Sequence, residues 1–134
     1  MSNLKKLTLE DLLDRKSKQD KMGLSTIDVD SLNASVPIVK LKTRKMCEIM
    51  DKYEANIDEN KIISGYDMMS EIIYKCVPIL QSKELQEQLN VPTPYEVVGE
   101  LFDFHEMEKI TTHIMELHGI TDKKQTPVND EIKN

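Results

Sequence analysis

The stretch His105-Glu-Met-Glu-Lys-Ile-Thr-Thr-His-Ile-Met-Glu-Leu-His118 gathers all three histidines of the chain and three glutamates within fourteen residues. These are residue types from which zinc sites are built. A helical zinc motif places two His at i and i+4, so that both rings leave one face, with a Glu beside the first as base. The spacing here is different. At ~100° per residue His113 and His118 lie ~140° apart around a helix axis, and His105 shares a face with Glu116 only across roughly 16 Å of rise. His113 and Glu116 can touch at i, i+3, but two ligands leave a tetrahedral zinc half empty, and Cys47 and Cys76 are remote in sequence. The segment reads as a helix in which Ile110, Ile114 and Leu117 form a buried stripe flanked by the histidines, and no metal is expected.

Other chemistries lack their residues. The four glycines, at 23, 65, 99 and 119, are isolated, so there is no phosphate-cradling loop and no nucleophile elbow. Most carboxylates fall on polar helix faces, where solvation is the default, and Tyr and Phe are too scattered for a base-stacking platform. A binding protein without catalysis or cofactor is expected. Cys47 and Cys76 sit at helical positions among Met, Ile and Val and are expected as reduced thiols in the core.

Charge narrows the partners. Residues 1–45 carry ten Lys/Arg against six Asp/Glu, a net +4, and residues 46–122 carry five against sixteen, a net −11. An acidic body argues against nucleic acid, whose phosphates want a positive face. Lys40, Lys42, Arg44 and Lys45 form a local basic cluster, readable as a solvated strand and turn or as a secondary contact surface. The opposed charge of the two parts makes head-to-tail self-association favourable, so a homo-oligomer is a candidate state. No segment approaches the ~18 apolar residues of a membrane span, and MSNLKKLTLEDLL lacks an uninterrupted apolar core of a signal peptide, so no membrane partner and a cytoplasmic location are expected.

The elements that position these residues are mostly helical. Thr8-Leu-Glu-Asp11 is an N-cap followed by Leu9, Leu12 and Leu13, a short apolar edge that needs something to lean on. Period two from Ile27 and Val29, a turn, and Val36 to Leu41 predict a small β-hairpin around residues 26–42, with Pro37 confining the second strand to an edge or moving its start to Ile38. A helix from Thr43 carries Met46, Ile49, Met50 and Tyr53, and ends in the polar loop 55–60. The next is read from Ser64 as cap, with Tyr66, Met69, Ile73, Cys76 and Val77 inward and a stop at Pro78. Ser82 caps a short helix to Leu89. Thr93-Pro-Tyr-Glu96 is the strongest start signal, an N-cap Thr with Pro at the first position, and Tyr95, Val98, Leu101 and Phe102 are its expected core face. Asp103 and Glu106 form a second capping box, with Phe102 and Met107 as staple, and Gly119 closes the last helix. The fold class is therefore mainly α, a small single domain with a short N-terminal hairpin. Its parts are an N-terminal helix or arm at 1–22, a hairpin plus helical core at 23–121 and a mobile, dispensable tail at 122–134.

Methionine is abundant, at eight residues. Met68 and Ile72 lie ~100–140° from the stripe centred on Ile73, and Met115 is similarly displaced in the last helix. They form either a second layer of the same core or an adaptable surface for a partner helix.

The succession of TLEDLLDRK, a hairpin, a helix, MMSEIIYKCV, SKELQEQL, PTPYEVVGELF and EMEKITTHIMELHG resembles the XkdN-like tail assembly chaperones of contractile-tailed phages and prophage-derived particles, over roughly residues 7–121. The resemblance implies a non-enzymatic assembly factor that binds the tape-measure protein and helps recruit tail tube protein, is absent from the finished particle, and in the family often has a frameshifted longer form. A structural tail component or a generic helical adaptor is the alternative.

Overall fold

Helices in this protein begin where side chains replace the missing partners of the first turn. The computed structural model describes residues 4–54 and 61–120; the predicted loop 55–60 and tail 122–134 lie outside the described residues. In α1 (Leu9–Met22) the Thr8 hydroxyl accepts from the Asp11 amide while the Asp11 carboxylate accepts from the Thr8 amide. The helix runs on through the polar stretch after Leu13 to Met22. Lys, Arg and Gln are good helix formers, and the i, i+4 pair Lys16–Asp20 at 2.7 Å supports the extension.

Strands β1 (Leu24–Val29) and β2 (Ala34–Val39) pair antiparallel through a 3-10 turn at Asp30–Leu32 and a left-handed Asn33. Val29, Val36 and Ile38 face the core. Pro37 lies opposite Thr26 on the exposed face and does not delay the strand, because in a two-stranded sheet both strands are edges. Leu41 falls beyond β2.

Helix α2 (Thr43–Glu54) buries Met46 and Ile49. Helix α3 runs Lys61–Cys76, so Ser64 is an interior, buried residue and not its cap, a correction to the expected start. Pro78 ends it in a 3-10 turn at Pro78–Gln81. In α4 (Lys83–Leu89) the Ser82 hydroxyl accepts from the Leu85 amide and Asn90 closes the end in the left-handed region.

The Thr93-Pro-Tyr-Glu96 signal produces a turn before it produces a helix. Glu96, Val97 and Val98 amides donate to Thr93, Pro94 and Tyr95 carbonyls, a tight i→i−3 pattern, and α5 is Glu96–Leu101. The Thr93 hydroxyl donates to the Glu96 carboxylate at 2.9 Å instead of accepting a backbone N–H. Val97 and Val98 make the core face of α5. Leu101 stays exposed because the chain turns extended at Phe102, whose ring closes the core instead. The second box is formed as expected, with Asp103 and Glu106 capping α6 (Phe104–Leu117) and Phe102 and Met107 both buried. Gly119, at φ +78, ends α6 in a Schellman arrangement: its amide donates to the Glu116 carbonyl and the Ile120 amide to that of Met115.

The centre of the domain is α3, packed against α2, α5 and α6. β1 rests on α6, β2 on the 78–81 turn, and α4 on α5 and that same turn. Ile38, Met46, Ile72, Ile73, Val97, Val98, Met107 and Ile114 are fully enclosed. Helix α1 stands apart from this core. It meets the body at the start of β1, where the Lys40 amide donates to the Gly23 carbonyl at 2.7 Å.

Candidate functional site

Two of the three histidines, His113 in α6 and His118 at its C-cap, are joints between the helix and the hairpin. The His118 Nε2 accepts from the Leu41 amide at 2.9 Å, and its Nδ1 lies 2.8 Å from the Ile114 carbonyl. An amide can only donate and a carbonyl can only accept, so the ring is neutral with its proton on Nδ1. Burial pushes the His118 pKa down, and the Lys40 charge adds to this, against the Ile114 carbonyl, which raises it. His113 Nε2 meets the Ser25 hydroxyl of β1 at 3.2 Å. His105 is exposed. Among the described residues no group of three His, Cys, Asp or Glu side chains gathers as a metal site. The two cysteines are divided: Cys76 is buried, with burial pushing its thiol up to about 12, while Cys47 is exposed, not in the core as its neighbours implied.

The most concentrated electrostatics lie where α2 crosses α3. Glu71 is 1% exposed. Its Oε1 takes the Tyr53 hydroxyl at 2.6 Å and the Lys52 ammonium at 2.6 Å, and its Oε2 takes the Lys75 ammonium at 2.6 Å. Burial is the largest single influence and pushes this carboxyl up. Lys52, Lys75 and Tyr53 together outweigh it, and the group is held at about 2. Burial, and after it the Glu71 carboxylate, raises Tyr53; burial pushes Lys75 down, but Glu71, with Tyr95, outweighs it and raises that ammonium. Lys75 also lies over the Tyr95 ring, which meets Tyr74 edge to face at 5.4 Å. Sequence reading assigned acids to solvated faces and missed Glu71. The available signal was its place beside Ile72 and Ile73 with Lys75 four residues on. A fully donated, low-pKa carboxylate is poorly suited to take a proton, and this cluster reads as a fastener between helices.

The residues proposed for partners are dispersed. Ile72 is 0% exposed and belongs to the core, which overturns its assignment to a surface: α3 is covered on more than one side, so a residue off the main stripe is still enclosed. Met68 and Met115 are half-buried and pack against the same core. Of the basic cluster, Lys42, Arg44 and Lys45 are exposed at the entry to α2, with Arg44 paired to Glu48 at 3.2 Å, whereas Lys40 is half-buried and donates to Gln19.

Two further surface features stand out, and of these the sequence had singled out only the edge of Leu9, Leu12 and Leu13. Large apolar side chains stand uncovered, on the arm at Leu4, Leu7, Leu9, Leu12 and Leu13 and on the body at Ile62, Ile63, Ile79 and Phe104. A cleft of about 290 Å³ opens between the hairpin turn and the start of α6, with Ile27, Val29 and Ile110 in its floor and Asp28, Asp30, Asp103 and Glu106 around it. The Ser31 hydroxyl donates to Glu106 across it.

A family model described as phage XkdN-like tail assembly chaperone protein matches residues 9–133. No curated protein and no solved structure matches the sequence.

Proposed function

The chain belongs to the phage XkdN-like tail assembly chaperones, and from that premise we propose that it binds the tape-measure protein and helps recruit tail tube subunits, acting by binding and not by chemistry. The observation that carries this reading is a match running through every described element from α1 to α6. The surface supports it. A closed core that nevertheless leaves Ile62, Ile63, Ile79 and Phe104 uncovered offers apolar anchors to an extended, aggregation-prone helix. Half-exposed Met68 and Met115 add unbranched side chains that adapt to varied partners along a long chain.

The test is co-expression with a tape-measure fragment. The native chain keeps the fragment soluble, and Ile63→Asp, at an exposed position, loses that ability while retaining a native melting curve. A folded variant that still solubilises the fragment would move the surface to Lys42, Arg44 and Lys45. A native chain that never solubilises it would sink the tape-measure reading. Mass spectrometry of finished particles separates a chaperone, which is absent, from a structural tail component, which is retained.

A further inference from the structure

The N-terminal arm has an unpartnered apolar tip. Leu4, Leu7, Leu9, Leu12 and Leu13 are between 50% and 94% exposed, and every side chain from Leu4 to Lys18 is exposed except Asp11. Around α1, Leu9, Leu12 and Leu13 fall within an arc of ~100°. A helix of 14 residues is near the length at which an isolated helix is marginal in water, so α1 needs a surface against which to lay this edge. Its own body does not supply one.

The acid-rimmed cleft has the complementary character. It is lined by apolar Ile27, Val29 and Ile110 and by four carboxylates, Asp28, Asp30, Asp103 and Glu106, against Lys109 and His105 as basic side chains. The arm tip interleaves its leucines with Lys5 and Lys6. The signs also oppose each other at the scale of the chain: residues 1–22 hold six Lys/Arg against four acids, net +2, and residues 23–134 hold twelve against twenty, net −8. The arm joins the hairpin at its open end, beside Gly23 and Lys40, whereas the cleft lies at the turn end, beyond Val29. Six strand residues, ~20 Å, separate the two.

We propose that the leucine tip of the arm docks into the acid-rimmed cleft of a second copy of this chain, joining copies head to tail. Such a contact uses two different patches, so each bound copy still presents a free tip or a free cleft, and the association propagates or closes into a ring. Leucines fill the apolar floor and Lys6 faces the rim carboxylates, while Lys5 is already paired with Asp11 at 2.8 Å within the arm. The proposal does not rest on the tape-measure reading, since it concerns the purified chain alone.

Sedimentation velocity on the full chain in low salt tests it. The native chain gains mass with concentration and loses it at ~0.5 M salt, where the Debye length falls to a few Å. An arm variant, Leu9→Asp with Leu12→Asp, and a cleft variant, Asp28→Lys with Asp30→Lys, are each monomeric alone. The first keeps its cleft and the second its arm, so an equimolar mixture forms a dimer and nothing larger. Leu4→Asp with Leu7→Asp, outside α1, repeats the arm result without touching the helix. Melting curves confirm that each variant is folded. A native chain that stays monomeric at high concentration in low salt, arm variants that associate like the native chain, or a mixture that stays monomeric would each overturn the proposal.

Discussion

Replacing Tyr53 by Phe removes one oxygen from the Glu71 cluster and leaves the packing of the ring in place. The lost contact is a hydrogen bond of 2.6 Å to an ionised carboxylate that is 1% exposed. Hydrogen bonds to charged groups contribute ~1.5–3 kcal/mol, and Lys52, whose side chain is 54% exposed, is free to shift and compensate in part, so the expected cost at pH 7 is about 2 kcal/mol. The pH dependence gives a sharper check. Glu71 is held at about 2 in the folded protein against an ordinary 4.5. Its cluster therefore adds stability that is fully present above 4.5 and is lost as the pH falls toward 2. Losing about 2 kcal/mol of anion stabilisation raises the carboxyl by ~1.5 pH units at 1.36 kcal/mol each. The variant has less left to lose in acid, and the two stability curves approach each other, with roughly half the gap gone by pH ~3. Urea unfolding followed by far-ultraviolet circular dichroism from pH 7 to ~3 measures both curves. A gap below ~0.5 kcal/mol at pH 7, or one that stays constant into acid, would refute the reasoning.

Gly99→Ala should destabilise by ~1–3 kcal/mol, because a Cβ there would lie 1.9 Å from the Tyr66 hydroxyl, and a Tyr66→Phe background should relieve part of the loss in thermal melts. His118→Leu should cost ~1–3 kcal/mol by leaving the Leu41 amide unpaired. Because burial lowers the His118 pKa, its neutral form contributes stability that is intact above 6.5 and eroded as the pH falls below it. The variant should lack that portion of the slope in urea titrations from pH 8 to ~5. Ile72→Asp should abolish the cooperative melt by placing an unpaired carboxylate in the core, whereas Leu12→Asp, on the arm, should melt as the native chain does.

Local signals were legible where one residue determines the outcome. Thr8, Ser82 and Asp103 each cap the helix that their hydroxyl or carboxylate announces, and Pro78 stops α3. Register and burial depend on neighbours that a sequence window does not contain. Thr93 does not cap: its hydroxyl donates to the Glu96 carboxylate, and the amides of residues 96 to 98 are taken by backbone carbonyls in i→i−3 bonds. Ile72 looks like a flank residue when α3 is treated as resting on one surface, and becomes core once α2, α5 and α6 surround it. Glu71 is hidden for the same reason. Its burial depends on Lys52 and Tyr53 of another helix, at a separation that no i, i+4 rule reaches. The arm illustrates the converse: the sequence predicted a helix in need of support, and the helix forms with its leucines uncovered.

The concentration of histidines in α6 is explained by what a two-stranded hairpin lacks. Such a hairpin is marginal in isolation and must be fixed to something else. Val29, Val36 and Ile38 supply the apolar attachment, but apolar contacts alone are non-directional and hold register weakly against sliding. His113 reaches Ser25 in β1 and His118 reaches Leu41 just beyond β2, five residues apart on the helix and therefore on different sides of it. One fastens the first strand and the other the exit of the second. The i, i+5 spacing that defeats a shared metal is the spacing that lets one helix hold two strands. It also fixes the hairpin turn over the start of α6, where the cleft of Asp28, Asp30, Asp103 and Glu106 is formed. If the hairpin slips when His118 is replaced, the Leu41 amide and the cleft should be disturbed together. Head-to-tail association should then weaken in His118→Leu even though residue 118 lies outside the cleft, and unchanged sedimentation of that folded variant would show that the hairpin keeps its place by apolar packing alone.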